Sequence, residues 1–196
     1  MNDLFNNKYK IKSARLKNWD YSWDGIYFIT ICTENMKHYF GKINPDDKMD
    51  FTEAGKIAHQ IWELIPTQFP FVELDDFIIM PNHVHGLLIL NNGNQMYTTK
   101  NEIKTLKSGG STGNKNPMLH DNISRIIRWY KGRVSFEIRK KINDKINGLT
   151  HINTNKENIF GWQTRFYDGI IHTQDRFYNT SKYIIDNPKK WNQLKK

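Results

Sequence analysis

Two histidines, His83 and His85, stand two residues apart in FIIMPNHVHGLLIL (77–90), an otherwise apolar run. A buried imidazole costs free energy unless it is hydrogen-bonded or holds a ligand. On a strand, side chains two apart share a face, so both rings point one way and Val84 points the other. At a rise of ~3.3 Å per residue their Cβ atoms lie roughly 6–7 Å apart, within reach of one cation. Two imidazoles do not complete a metal site, and further ligands must come from elsewhere. The competing reading is a pair of hydrogen-bonded sheet residues. The same-face pairing favours a metal, because imidazole is a common ligand. His38, His59, His120, His151 and His172 show no such pairing and read as surface or loop residues.

A second group lies near the C-terminus, in SKYIIDNPKKW. Tyr183 and Asn187 are four apart and share one face of a helix. Asn179 extends that face one turn back, while Ile184 and Ile185 are expected to anchor the helix. Taken alone, Tyr183 reads more readily as a packing residue and Asn187 as a cap before Pro188. Combined with the histidines, the pattern suggests more chemistry. A cation on His83, His85 and an amide oxygen would polarise a phosphodiester, and a nearby tyrosine would attack phosphorus. Phenol, with a pKa of about 10, is a weak nucleophile at neutral pH and needs such activation and positioning.

The elements that must carry these residues follow from periodicity. GIYFITICT (25–33) is β-branched and aromatic and predicts a strand. TEAGKIAHQIWEL (52–64) predicts a helix capped by Thr52, with Ile57, Ile61 and Leu64 on one side. Residues 72–79 and 83–90 predict two strands joined by a turn at Met80-Pro81-Asn82. Residues 122–143 predict a second helix with an apolar stripe of Ile123, Ile126, Ile127, Tyr130, Val134 and Ile138. A strand region follows at 160–172, then a helix from about Asp175 to Asn187, limited by Pro188. The polar stretches at about 91–121 and 144–158 read as flexible insertions in a single domain spanning 1–196. SGGSTGNK, within the first, lacks the spacing and leading strand of a phosphate-binding loop. Leaving the last helix aside, the order is β-α-β-β-α-β. That predicts an α+β fold, an antiparallel sheet with flanking helices, ferredoxin-like in outline.

Composition narrows the partner. The formal charge is +9 and the pI about 9.5, a footprint of nucleic-acid binding, although general solubility would also explain it. One cysteine, Cys32, excludes an internal disulfide framework and a four-thiolate zinc site. No apolar run reaches the length of a membrane span and the N-terminus lacks a signal-peptide core, so a cytoplasmic protein with no membrane partner is expected.

MPNHVH followed by GLLIL resembles the His-hydrophobic-His motif of the single-tyrosine HUH transposases. WQTRFYDGIIHTQDRFYNTSKYIIDNPKKW resembles the C-terminal signature of their REP-associated tyrosine transposase branch, and ISRIIRWYKGRVSFEIRK its second helix. The likeness covers most of 20–90 and 120–191. It implies that His83 and His85 are metal ligands, that Asn187 is the third, and that the ion is Mg²⁺ or Mn²⁺. It implies that Tyr183 cuts single-stranded or hairpin DNA, keeping a 5′-phosphotyrosine link and releasing a 3′-hydroxyl. Substrates of this branch are palindromic repeats that fold as single strands, and its fold is an antiparallel sheet flanked by helices. Tyr178, five residues before Tyr183, faces away from Asn187 and is not expected to be the nucleophile.

Arg125, Arg128, Lys131 and Arg133, with Lys189 and Lys190, are candidates for phosphate contacts, and Trp129, Trp162 or Trp191 for base stacking. For any one of them, a solvated face or core packing is the simpler explanation. The basic run KYKIKSARLKNW near the N-terminus is either an arm on DNA or a tail. The reading is therefore a monomeric or homodimeric single-strand endonuclease and strand transferase. The alternatives are a non-cleaving hairpin-DNA-binding protein and, less well supplied with ligands, a small-molecule metallohydrolase.

Overall fold

The computed structural model describes residues 20–93, 121–147 and 160–193. The N-terminal basic run, most of the two polar insertions, His120 and His151 lie outside the described residues. Four strands form the main sheet: β1 (Gly25–Cys32), β4 (Val72–Met80), β5 (His83–Leu90) and β6 (Tyr167–Ile171), in the order β4-β5-β1-β6, every neighbour antiparallel. The protein is thus α+β, with helices packed against an antiparallel sheet.

Register assigns the two faces. Opposite residues of an antiparallel pair share a face. Val84 pairs with Ile31 and Ile79, and Gly86 with Ile29 and Phe77. This face carries the main core, covered by α1 (Glu53–Glu63) and α3 (Ile123–Asn147). Trp62 of α1 packs on Phe77 and Tyr130, and the Tyr130 hydroxyl donates to the Ala58 carbonyl at 3.0 Å, tying α3 to α1. Gly86 allows Trp62 this approach, since a Cβ there would lie 2.4 Å from the indole ring. Thr52 caps α1 as expected, its side chain accepting from the Gly55 amide at 3.2 Å.

The other face carries His83 and His85, with Cys32 and Thr30 opposite them on β1 and Met80 and Ile78 on β4. It is covered by α4 (Gln174–Ile185), whose Ile184 is buried against Leu87 and Ile171 in a smaller core. Ile185, expected to help anchor the helix, is 62% exposed instead. One residue further along a helix is a turn of 100°, and only Ile184 meets the sheet.

Five features depart from expectation. A hairpin of β2 (Gly41–Ile43) and β3 (Met49–Phe51) precedes α1, two strands too short to register as alternating patterns. A short helix, α2 (Ile65–Gln68), carries Pro66 in its first turn, where the missing N–H is harmless. The C-terminal helix ends at Ile185 with Asp186 as its cap, and α5 (Asn187–Gln193) begins at once. Pro188 therefore opens a helix as well as following one, because proline fits a first turn. Helix α3 also runs through Asn147, into the stretch read as the second insertion, and only Tyr167–Ile171 of the 160–172 region is strand.

Candidate active site

The turn between β4 and β5 builds one end of the site. Asn82 is buried, and its carbonyl accepts from the Thr33 amide at 2.9 Å, with the Thr33 hydroxyl shared between it and the Lys37 carbonyl. Its side-chain nitrogen donates to the Met36 carbonyl at 3.2 Å, which fixes the amide orientation. Its Oδ1 therefore faces the His83 Nδ1 at 2.7 Å. An amide oxygen only accepts, so Nδ1 carries the proton and the lone pair of His83 lies on Nε2. Thr30 plays a similar part across the sheet, its hydroxyl 2.9 Å from the Nδ1 of His85. Partners at Nδ1 hold the rings in place and leave Nε2 to face outward.

The ring centroids of His83 and His85 are 4.5 Å apart. Phe28 stacks on His85 at 5.3 Å and closes that side with hydrocarbon. Burial pushes the His83 imidazole down to about 4, and burial together with the neighbouring His83 pushes His85 down to about 3, a hydrogen bond to the Ile29 backbone working the other way. Both rings are neutral at pH 7, the state a metal ligand requires. Among the described residues, no group of three or more His, Cys, Asp or Glu could hold an ion. A further ligand to this pair among the described residues would be an amide, a carbonyl, a hydroxyl or water.

Helix α4 brings Tyr183 to this pair. Its hydroxyl is 3.4 Å from the Nε2 of His85, the ring centroids are 5.3 Å apart, and Phe28 meets the phenol edge-on at 6.2 Å. Tyr183 is 40% exposed and open to solvent. Tyr178 is 64% exposed on the same helix. The helix is clamped to β4 by Ile184 and by a short hydrogen bond from Ser181 to Asp76. Asn187 is buried at the start of α5, its Nδ2 donating to the Tyr183 carbonyl at 3.4 Å. It does not cap α4.

Helix α5 adds two side chains. The Lys190 ammonium lies 4.9 Å from the centre of the Tyr183 ring. Trp191 lies against both His83 and His38. His38, expected as an ordinary surface residue, is exposed yet belongs to this neighbourhood. The sequence marks neither His38 nor Asn82 as part of the site. The direct pairing of Thr30 with His85 becomes legible only once the strands are in register.

The remaining basic candidates sit elsewhere. Arg125, Arg128, Lys131 and Arg133 ride on α3, and the sheet separates that helix from the histidines. Arg125 pairs with Asp121 and Arg133 with Glu137. The Lys131 ammonium donates to the carbonyls of Gln163 and Thr164 at 2.6 and 3.3 Å, and partial burial lowers its pKa. Lys189 is exposed on α5. Trp129 and Trp162 pack against the main core, the latter donating to the Lys131 carbonyl at 3.1 Å. Of the three tryptophans considered for stacking, Trp191 alone stands at the site.

No helix among the described residues is long and apolar enough to cross a membrane. No family model matches the chain. Its fold is shared with the solved structure of a REP-associated tyrosine transposase bound to a REP hairpin, at a TM-score of 0.53 and 16% identity, over 92% of this chain and 74% of that one. In sequence it is 31% identical to an uncharacterized protein of Haemophilus influenzae (strain ATCC 51907 / DSM 11121 / KW20 / Rd) over 182 residues, 93% of this chain and 90% of that protein. The protein belongs to the same family as that Haemophilus influenzae protein.

Proposed function

We propose that the protein is a metal-dependent, transposase-like endonuclease and strand transferase that cuts single-stranded DNA at hairpin or palindromic repeats. The observation that carries this reading is the Tyr183 hydroxyl 3.4 Å from the outward-facing Nε2 of His85, beside a second imidazole with its own Nδ1 bonded. The strand order and the β-α-β-β-α-β path support a ferredoxin-like sheet of the HUH type, and the likeness to a hairpin-bound transposase supports a DNA substrate. His83, His85 and Asn187 would hold Mg²⁺ or Mn²⁺, which supplies polarisation of the scissile phosphate and charge neutralisation.

The chain's own residues account for the rest. Tyr183 Oη forms a bond to phosphorus as the bond from phosphorus to the 3′-oxygen breaks. The tyrosine proton leaves to solvent, to which the side chain is open, and the departing 3′-oxygen takes up a proton. A 5′-phosphotyrosine and a 3′-hydroxyl result, and reversal onto another 3′-hydroxyl transfers the strand. The Lys190 ammonium, 4.9 Å from the centre of the Tyr183 ring, would supply positive charge beside the incoming phosphate. Lys189 extends that charge along α5. The basic residues of α3 lie behind the sheet, so their phosphate contacts would involve more distant parts of a folded substrate.

The test is covalent trapping. The protein is incubated with Mn²⁺ and end-labelled DNA hairpins carrying randomised single-stranded flanks, then run on a denaturing gel. A labelled protein band is expected for wild type and absent for Tyr183→Phe. A band surviving in Tyr183→Phe would move the nucleophile, first to Tyr178. Tight, salt-sensitive binding with no band across the pool would replace the proposal with the non-cleaving alternative.

A further inference from the structure

Five aromatic rings stand in a row across the site. From Tyr183 the centroid spacings are 5.3 Å to His85, 4.5 Å to His83, 5.9 Å to Trp191 and 5.5 Å to His38. The first three belong to the chemistry proposed above. The last two have no part in it. Trp191 is half-buried and His38 exposed, so the row ends in solvent. Trp191 is tilted 42° from His83 and 59° from His38, so neither ring covers the indole as a parallel stacked partner would.

Both rings are firmly mounted. Helix α5 is tied to the β2–β3 turn through Asn192, whose Nδ2 donates to the Asn44 carbonyl at 2.9 Å and to Asp47 at 2.8 Å. The segment before His38 is held by the Thr33 hydroxyl on the Lys37 carbonyl at 2.7 Å and by Asn82 on Met36. An aromatic surface held rigid beside a phosphate-handling centre suits a flat, unpaired base, and stacking there tolerates any base because every base has a π-face. A phosphate or a sugar offers no such face.

We infer that Trp191 and His38 form a nucleobase subsite that stacks an unpaired base close to the scissile phosphate and so sets where the strand lies against Tyr183. The inference rests on the proposed single-stranded DNA substrate and assigns that substrate a defined contact. One ring is a metal-ligand neighbour and one is an exposed loop residue, so removing His38 tests the subsite without disturbing the core.

The experiment is an abasic walk. A hairpin selected from the randomised pool for binding is remade with a single abasic nucleotide at each flank position in turn, and the Kd is measured for wild type, Trp191→Leu, Trp191→Phe and His38→Ala. Wild type should lose about tenfold at one position, within the range of base–aromatic stacking. Trp191→Leu should bind the intact strand about tenfold more weakly and lose its sensitivity at that position. Trp191→Phe should restore it, and His38→Ala should reduce it. The inference is overturned if no position matters in wild type, or if the abasic profile is the same in Trp191→Leu and His38→Ala as in wild type. Covalent trapping on the same strands separates the two readings. An adduct with an unchanged profile removes the subsite alone, and the expected profile without an adduct removes the cleavage alone.

Discussion

Removing the Asn82 side chain tests the proposed metal-ligand role of His83 directly. Its Oδ1 is the acceptor that places the proton on Nδ1 and the lone pair on Nε2. Asn82→Ala strands a buried N–H, which costs about 1–3 kcal/mol of stability. It also releases the Met36 carbonyl, in a segment where Met36 holds a left-handed φ of 55°. Loss of an outer partner of a ligating histidine weakens metal affinity by about 10–100-fold. Asn82→Asp keeps an acceptor at the same place and adds charge, so it should hold Mn²⁺ close to wild type or tighter while still losing the donor to Met36. Calorimetric titration with Mn²⁺ and urea unfolding of the metal-free protein read the two effects separately. Should Asn82→Ala bind Mn²⁺ within about twofold of wild type, the tautomer argument is wrong. Equal weakening in Asn82→Asp and Asn82→Ala would mean that the effect is steric or conformational.

Two further outcomes follow from the fold. The metal-free protein should lose stability as pH falls below about 6.5, the ordinary value for histidine. His83 and His85 are held down to about 4 and about 3 in the folded chain, so in that window the unfolded state binds more protons and each ring removes up to about 1.4 kcal/mol per pH unit. The urea midpoint should fall between pH 6.5 and 4.5 less steeply in a His83→Gln, His85→Gln double variant, and identical slopes would refute the burial argument. Gly86→Ala should destabilise by about 1–3 kcal/mol or more, because the new methyl meets Trp62 within a packed core. A urea midpoint unchanged from wild type would show that Trp62 can move aside.

The local physics of single elements was readable from the chain alone. The alternation of His83, His85, Leu87 against Val84, Gly86, Leu88 encodes one strand with two differently used faces, and the register keeps them apart. Tyr183 and Asn187 were placed by helical spacing, although a break at Asp186 divides them between two helices. What could not be read was pairing between distant segments. Thr30 meets His85 from 55 residues away and Tyr183 from 98, and neither spacing leaves a trace in local periodicity. The β2–β3 hairpin was missed for a related reason, since strands of three residues carry too little alternation to stand out.

The break between α4 and α5 explains how one short C-terminal segment can serve several demands at once. A single straight helix would continue the face of Ile184 along the sheet, and residues seven apart would return to nearly the same side. Helix α4 ends at Asp186 and α5 starts again at Asn187, with Asp186 itself still in the helical region. Tyr183 stays on the clamped helix, fixed by Ile184 and Ser181 beneath it. Lys190 and Trp191 lie on the second helix, whose far end is held by the β2–β3 turn through Asn192. Proline at the second position gives that restart a fixed φ without removing a needed donor. The sequence Asp-Asn-Pro thus joins the two helices: its asparagine is buried on the tyrosine carbonyl, and its proline stands in the first turn of the helix that carries Lys190 to Tyr183 and Trp191 to His83.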